Sequence, residues 1–552
     1  MKNGMKKILF LLLWIPAIIA CTEKNTPVDT TGDTTSGDTT SVDTTTTTPA
    51  DTTITTTDTI RISWNGTAVT VEGVNSGVTV TPTNGYVTVN STVKDITYIL
   101  SGSGSGQLTI YGTNRHQLVL SNLALTCSDG PAINNQCKKS CFVVLEGSNT
   151  LADGSTYAAS DEDRKAAFFS EGQIIFSGSG SLTVNGNYKH AIASDDYIQF
   201  TEGTGSLTLK AASDGIHAND ALYFDGGTFA ITAGSDGVQC DSSIVIKNGA
   251  ITITASGDGI QSDTANITIS GGEVTITKAD DKGITAFGNI VISGGTIRIN
   301  SQYKCLKAGK KENNVIVSAG SILISGGDIQ AVCTGTSTSS GFGGGHGGGP
   351  GGGWGWGDSS SDESSTPEAI EAKGTVTING GYVYAQSSDD AINSGGALTI
   401  NGGFVCAYST SNDGLDANDN LYIKGGVVYA VGAGGAERSI DALENRTLYI
   451  SGGTLFCIGD LESGASLSQN CYQASSWSKN TWYSVTVGNE VYAFKTPSSG
   501  GTKLVVSGAS TPSLKSGVTP SGTAIFNGMG YYPATFTGGT NVSLSSYTSS
   551  RW

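Results

Sequence analysis

The chain has 552 residues, of which 78 are Gly and only 11 Pro; 14% are charged and 37% hydrophobic. Low charge and high Gly favour strands and turns over helices. The net charge of −17, from 47 acids against 30 bases, argues against a nucleic-acid partner, which needs a basic face, and suits bound cations.

Residues 1–20 read as a signal peptide: Lys2, Lys6 and Lys7 precede an apolar run, Ile8 to Ala20, too short to span a membrane. The run ends Ile18-Ile19-Ala20-Cys21, which resembles a bacterial lipobox and implies lipidation of Cys21. The expected address is the bacterial envelope, at the outer membrane or cell surface, with the lipid anchor as the sole membrane contact. Residues 21–60 hold almost no apolar side chains and should form a flexible linker. Its repeated Asp-Thr-Thr, at Asp29, Asp33, Asp38, Asp43 and Asp51, resembles a bacterial O-glycosylation signal.

Alternating strands follow. Residues 79–90 and 107–120 carry apolar side chains at every second position and read as an N-terminal β region that caps or begins the next element. That element is a repeat. With the aliphatic residue after Asp-Gly as zero, Ile216 is followed by Leu222 and Phe224, then Gly226-Gly227, then Phe229 and Ile231. The same offsets hold from Val238, Ile284, Ile370, Ile392 and Leu415, and Ile260 starts a rung with one inserted residue. A spacing of two puts each pair on one face of a strand, and the Gly pairs mark corners. A unit of about 22 residues predicts an all-β fold: a right-handed parallel β-helix whose stacked rungs bury a common core. About eleven rungs at ~4.8 Å make a rod of roughly 50 Å. The solenoid with its N-terminal β region is expected over 61–475, with a Gly-rich insertion at 334–366 that carries Trp354 and Trp356. A C-terminal β cap is expected over 476–552, because the last rung would otherwise expose an open edge. Nine Cys remain after Cys21; most read as small strand hydrophobes, and their odd number leaves at least one unpaired.

Two polar columns run along the repeat. Two residues before each rung start stand Asp214, Asp236, Asp258, Asp390 and Asp413, with Asp280 and Asp281 beside Lys282 in the rung of Ile284, and Lys304 and Glu368 in two others. Three or four residues after the start stand Asp195, Asp196, Asn219, Asp220, Asp241, Asp263, Asn418 and Asp419. Stacking sets such carboxylates about 5 Å apart, where each pair repels by about 1 kcal/mol in water and more in a poorer dielectric. Ca2+ would neutralise them with oxygen ligands alone; alternatively each Asp caps local backbone N–H groups. Of the four His, His190 and His217 fall one rung apart, and no nucleophile–His–acid set is legible. Tyr382 and Tyr384, with Tyr408, Tyr422 and Tyr429, offer aromatic faces for sugar rings, as do the two Trp.

Residues 147–157 and 178–190, with the Asp-Gly-Ile rungs that follow, resemble a bacterial family of calcium-binding, carbohydrate-binding parallel β-helix proteins, known from clostridial surface members that bind cellulose and pectin-like polymers on a fold like that of pectate lyases. The resemblance spans about 60–530. It implies Ca2+ on the rung Asp residues and a polysaccharide partner. The expected protein is a monomeric, non-catalytic surface binder. Two alternatives stand beside it: a calcium-dependent lyase with Lys282, or else Lys304, as base, and a structural or adhesive rod.

Overall fold

The computed structural model describes residues 53–56, 58–73, 75–313, 315–336, 366–474 and 476–549. Cys21, most of the linker, and Trp354 and Trp356 lie outside these residues. Among the described residues the regular elements from Asp58 on are short strands joined by turns, with one short 3-10 turn at Phe526–Gly528. Each rung has three strands. In the rung of Ile216 they are Ile216–Ala218, Ala221–Phe224 and Thr228–Ala233, here called the first, second and third faces.

Each strand pairs in parallel with its equivalent in the next rung. Ile192, Ile216, Val238, Ile260, Ile284, Leu306, Ile370, Ile392, Leu415 and Ile440 are successive register partners, and every one is fully buried. Like therefore packs on like: the Phe176, Phe200 and Phe224 rings stack at 5.0 and 5.1 Å. Burying each such side chain contributes about 1.5–3 kcal/mol, which no rung could gain alone.

The solenoid makes about 14 turns of about 24 residues, more and longer than the sequence repeat suggests. The extra turns come from the N-terminal strands. Asp58–Gly66 pairs in parallel with Ile96–Ser105, and that strand with His116–Thr126, so this region is built of rungs. The extra length comes from excursions. Lys310–Glu312 and Val315–Ser318 form a hairpin between the first and second faces of one rung. Leu306 pairs with Ile370 although the Gly-rich insertion lies between them in sequence. The residue inserted in the rung of Ile260 lies in the turn between its first and second faces, since Ser262 pairs with Cys240 and Ile267 with Ile244; a second extra residue, Thr277, makes a bulge on the third face, where Thr254 pairs with Lys278.

The two kinds of corner glycine have different causes. Gly249, second of its pair, has φ +101°, where a side chain is strained. Gly237, after Asp236, has ordinary φ, but a Cβ there would sit 2.6 Å from the carbonyl oxygen of Gly259 in the next rung.

The residues after 475, expected to close the last rung, also fold back along the third face. Leu504–Ser507 lies antiparallel to Thr454–Ile458, while Trp482–Val487, Glu490–Lys495, Ser513–Ile525 and Gly530–Val542 close into a small barrel. Phe494 and Phe526 from this segment form a second core with Tyr384, Tyr429 and Phe456 of the third face. All nine described cysteines are buried and free.

Replacing Ile253, fully buried on the third face, by Ala should lower unfolding stability by about 2–5 kcal/mol in urea denaturation. Thr252→Ala, on the exposed side of the same strand, should change it by less than about 0.5 kcal/mol.

Candidate functional site

The corner between the third face and the next first face carries the chemistry. Register places His190, Asp214, Asp236, Asp258, Lys282, Lys304, Glu368, Asp390, Asp413 and Arg438 above one another, each two residues before a rung start. Carboxylates suit this corner because the next rung's backbone N–H points at it. Asp214 Oδ1 accepts from the Asp236 N–H at 3.1 Å, Asp236 Oδ1 from Asp258 at 2.6 Å, and Asp258 Oδ1 from Lys282 at 2.8 Å. Asp390 and Asp413 accept in the same way from Asp413 and Arg438. These Asp residues are thus caps across rungs, whatever else they hold.

Along the column the charge is handled in three ways. At the lower end burial pushes Asp214 up, but His190 and His217 outweigh it and hold its carboxyl below the usual range. Asp236 has no such partner. Burial, then the Asp258 and Asp214 charges, push it up to about 7, and Asp258, buried but relieved by Lys282, to about 6. Among the described residues Asp214, Asp236 and Asp258 do not converge as a metal-sized trio. Asp281 lies 2.7 Å from Lys282 Nζ, and Asp280 2.8 Å from Lys278 Nζ, so lysines supply the counter-charge.

In the middle Lys304, 1% exposed, lies 2.5 Å from Glu368 and 3.3 Å from Glu371, and donates to the Thr366 carbonyl at 2.9 Å. Burial alone would favour its neutral form, but the two carboxylates outweigh that and raise it above the ordinary lysine value. It is a held cation, not a free base.

At the upper end acids gather. One carboxylate oxygen from each of Asp413, Asp416 and Asp441 lies within 4.8 Å of the others. Asp390 is next in the column, and Asn393 Nδ2 reaches Asp390 at 3.0 Å, Glu368 at 3.2 Å and Asp416 at 3.4 Å. Arg438 pairs with Asp441 and Glu462 and takes part of the charge. The rest shows in the titration: burial, then neighbouring acids, push Asp390 well up, and leave Asp413 at about 8 and Asp416 at about 7. Asp416 and Asp441 were not among the residues expected from sequence. Each is the middle residue of a three-residue first-face strand, between two buried neighbours, so it points outward. The signal was a third polar column, one residue after each rung start: His217, Gln239, Gln261, Thr285, Lys307, Glu371, Asn393, Asp416 and Asp441.

The second expected column is spread over other partners. Asp195 lies 2.5 Å from Lys165, Asp196 accepts from Gln173, and Asp263 accepts from both Gln239 and Gln261 at 2.5 Å. Asp241 lies 3.4 Å from the Gln239 amide.

The third face carries an aromatic cleft of about 300 Å³, lined by Arg298, Asp328, Gln330, Tyr382, Phe404 and residues 523–528. The Tyr382 and Phe404 rings stack at 5.0 Å and 5°, and Tyr382 remains 46% exposed. In the preceding rung the register partner of Tyr382 is Asp328, paired with Arg298 at 2.5 Å, so the ring stack ends at Tyr382. Tyr384, expected to meet ligand, also lines the cleft but is only 7% exposed, because the returning C-terminal segment packs on it. Tyr429 is fully buried and donates to the Lys495 carbonyl at 2.8 Å. Tyr422 stacks on Tyr449 on the second face.

Residues 83–311 and 278–414 match a family model described as carbohydrate-binding domain-containing protein; together they span more than half of the chain. No curated relative matches. Among solved structures, the polysaccharide lyase-like protein from C. thermocellum, a gadolinium derivative, is similar at 21% identity and a TM-score of 0.30, over 50% of this chain and 92% of that one.

A pH dependence follows from Asp236. Its carboxyl titrates at about 7 in the folded chain against an ordinary 3.8, so the folded state binds the extra proton between these values. Its contribution to stability is therefore unfavourable above about pH 7 and is relieved as pH falls towards 4. Asp236→Asn, with chelator present, should raise the urea midpoint at pH 8, leave it unchanged near pH 4, and flatten the slope between.

Proposed function

The chain belongs to the carbohydrate-binding domain-containing protein family, and we propose that it binds a polysaccharide without cleaving it, from a lipid anchor at Cys21 on the bacterial envelope. The observation that carries this reading is the Tyr382 ring: half-exposed, last in a stack, and facing a cleft whose other walls are Arg298, Asp328 and Gln330. A sugar ring stacked on Tyr382 takes the next place in the ring ladder, with its hydroxyls within reach of a guanidinium, a carboxylate and an amide.

The enclosed state of Lys304 supports a non-catalytic reading. A proton-abstracting lysine needs a lowered pKa, and Glu368 and Glu371 push the other way.

We further propose that Ca2+ belongs at the upper corner, with Asp413, Asp416 and Asp441 as ligands and Asp390 beside them. The fit rests on the donors: oxygen only, close together, and carrying negative charge that Arg438 does not fully offset. The ion would hold two successive rungs together, and so act on stability.

Two outcomes are expected. Tyr382→Ala should weaken binding to the best polysaccharide in a plant and host panel by roughly 10-fold in titration calorimetry, about 1–2 kcal/mol, with the fold intact by circular dichroism. Ultraviolet absorbance from unsaturated products in the same mixtures would overturn the non-catalytic reading. Separately, Ca2+ should raise the melting temperature of the wild-type chain and not that of Asp413→Asn.

A further inference from the structure

We propose that His190, Asp214 and His217 form a binding site for one first-row transition-metal dication, unlike the all-oxygen corner in both ligands and metal. The rung geometry assembles it. His190 and Asp214 occupy the corner position of successive rungs, and His217 is the outward residue of the first-face strand that Asp214 leads into. Asp214 Oδ2 lies 3.0 Å from His190 Nδ1 and 3.6 Å from His217 Nδ1, and one ligand atom from each residue lies within 4.8 Å of the others. The two imidazoles are nearly parallel, with centroids 4.6 Å apart. Tetrahedral zinc with bonds of about 2.0–2.1 Å needs ligand–ligand edges of about 3.3 Å, and the two observed edges bracket that value.

Hydrogen bonding accounts for His190 Nδ1, which lies 3.0 Å from Asp214 Oδ2 and 3.4 Å from the Asp214 backbone nitrogen, but not for the rest of the cluster. The 3.6 Å separation is too long for a hydrogen bond, and His217 Nδ1 has no partner among the described residues. His190, 1% exposed, also leaves Nε2 without one. Two buried imidazoles with unpartnered nitrogens around one carboxylate call for an explanation. A metal gives one for His217 Nδ1, and His190 Nε2 would then take a water.

The surroundings suit a metal. Asp214 Oδ1 is already held by the Asp236 N–H at 3.1 Å and the Ser213 hydroxyl at 3.3 Å, which aims Oδ2 at the imidazoles and orients the ligand. The nearest rung below offers only Ala193 at the His217 position, Lys165 is turned to Asp163 and Asp195, and Lys189, next to His190 in the chain, is the charged neighbour. The His217 side chain keeps 14% exposure, which leaves an approach for the ion. Imidazole nitrogens select zinc, cobalt, nickel or copper over calcium.

The test uses the full chain, stripped with chelator and titrated with zinc by calorimetry, then with cobalt by visible absorption. The expected result is one zinc per chain and cobalt bands of a four- or five-coordinate nitrogen–oxygen site. His217→Gln, which installs the residue that the next two rungs carry at this position, should lower zinc affinity by more than about 10-fold, with an unchanged circular dichroism spectrum. His217→Ala serves in its place if the Gln variant does not fold. Asp413→Asn should leave zinc binding as in the wild type. Zinc binding that is absent from the wild type, unchanged in the His217 variant, or lost in Asp413→Asn instead would overturn the proposal.

Discussion

The parallel ladder is the constraint on which everything else depends. Each rung satisfies its backbone N–H and C=O groups on its neighbours, so residues at equivalent positions are forced to within about 4.8 Å of one another along the axis. For apolar residues this is favourable without qualification, and the fully buried row from Ile192 to Ile440 is the result. For charged residues it is a problem that has to be solved rung by rung. The corner column shows three solutions in one chain: imidazoles beside Asp214, lysines beside Asp258 and Glu368, and a single arginine beside the Asp413 group.

The corner keeps its carboxylates despite that cost because they do a second task. A tight corner turns backbone N–H groups away from their ladder partners, and a buried unpaired N–H costs about as much as a lost hydrogen bond. Asp is short enough to reach the N–H one rung on, as Asp214, Asp236, Asp258, Asp390 and Asp413 all do. Capping and cation binding are therefore compatible: one oxygen serves the backbone, and the other remains for a metal or a lysine. The alternatives left open by the sequence are two uses of the same carboxylate.

The apolar repeat was legible because its residue types hardly vary: an aliphatic start, pairs at fixed offsets, a Gly pair. Even the insertion in the rung of Ile260 could be seen, although not the second extra residue, Thr277, which makes a bulge opposite Thr254. The N-terminal rungs were hidden because strands such as Ile96–Ser105 and His116–Thr126 run unbroken through positions where later rungs turn, so no Gly pair marks a corner in them. Asp416 and Asp441 escaped notice because their column changes character, from His through Gln to Asp, and no single residue type marks it. Tyr384 looked like a surface aromatic for a tertiary reason: it does point out of the solenoid, but into a segment that returns from more than a hundred residues later. Periodicity reports which side of a strand a residue faces, not what waits on that side.

The same ladder explains why the candidate sugar site sits where it does. A stack of rings along the axis is self-satisfying except at its ends, where one ring face has no neighbour. The Tyr382–Phe404 stack meets the C-terminal segment through Phe526 and Tyr532, which pack on Phe404. At its other end the register partner is Asp328, a small charged residue tied to Arg298, so the Tyr382 face opens onto polar groups. Stacking surface on one side and hydrogen-bonding groups on the other are what a pyranose ring needs, with its apolar C–H face and its rim of hydroxyls. The site thus arises at a break in the repeat, where the column changes from aromatic to charged, and the metal candidates arise at breaks too, where the corner column passes from His to Asp and from Asp to Arg. In a solenoid the repeat builds the scaffold, and chemistry is concentrated at the rungs where a column changes its residue type.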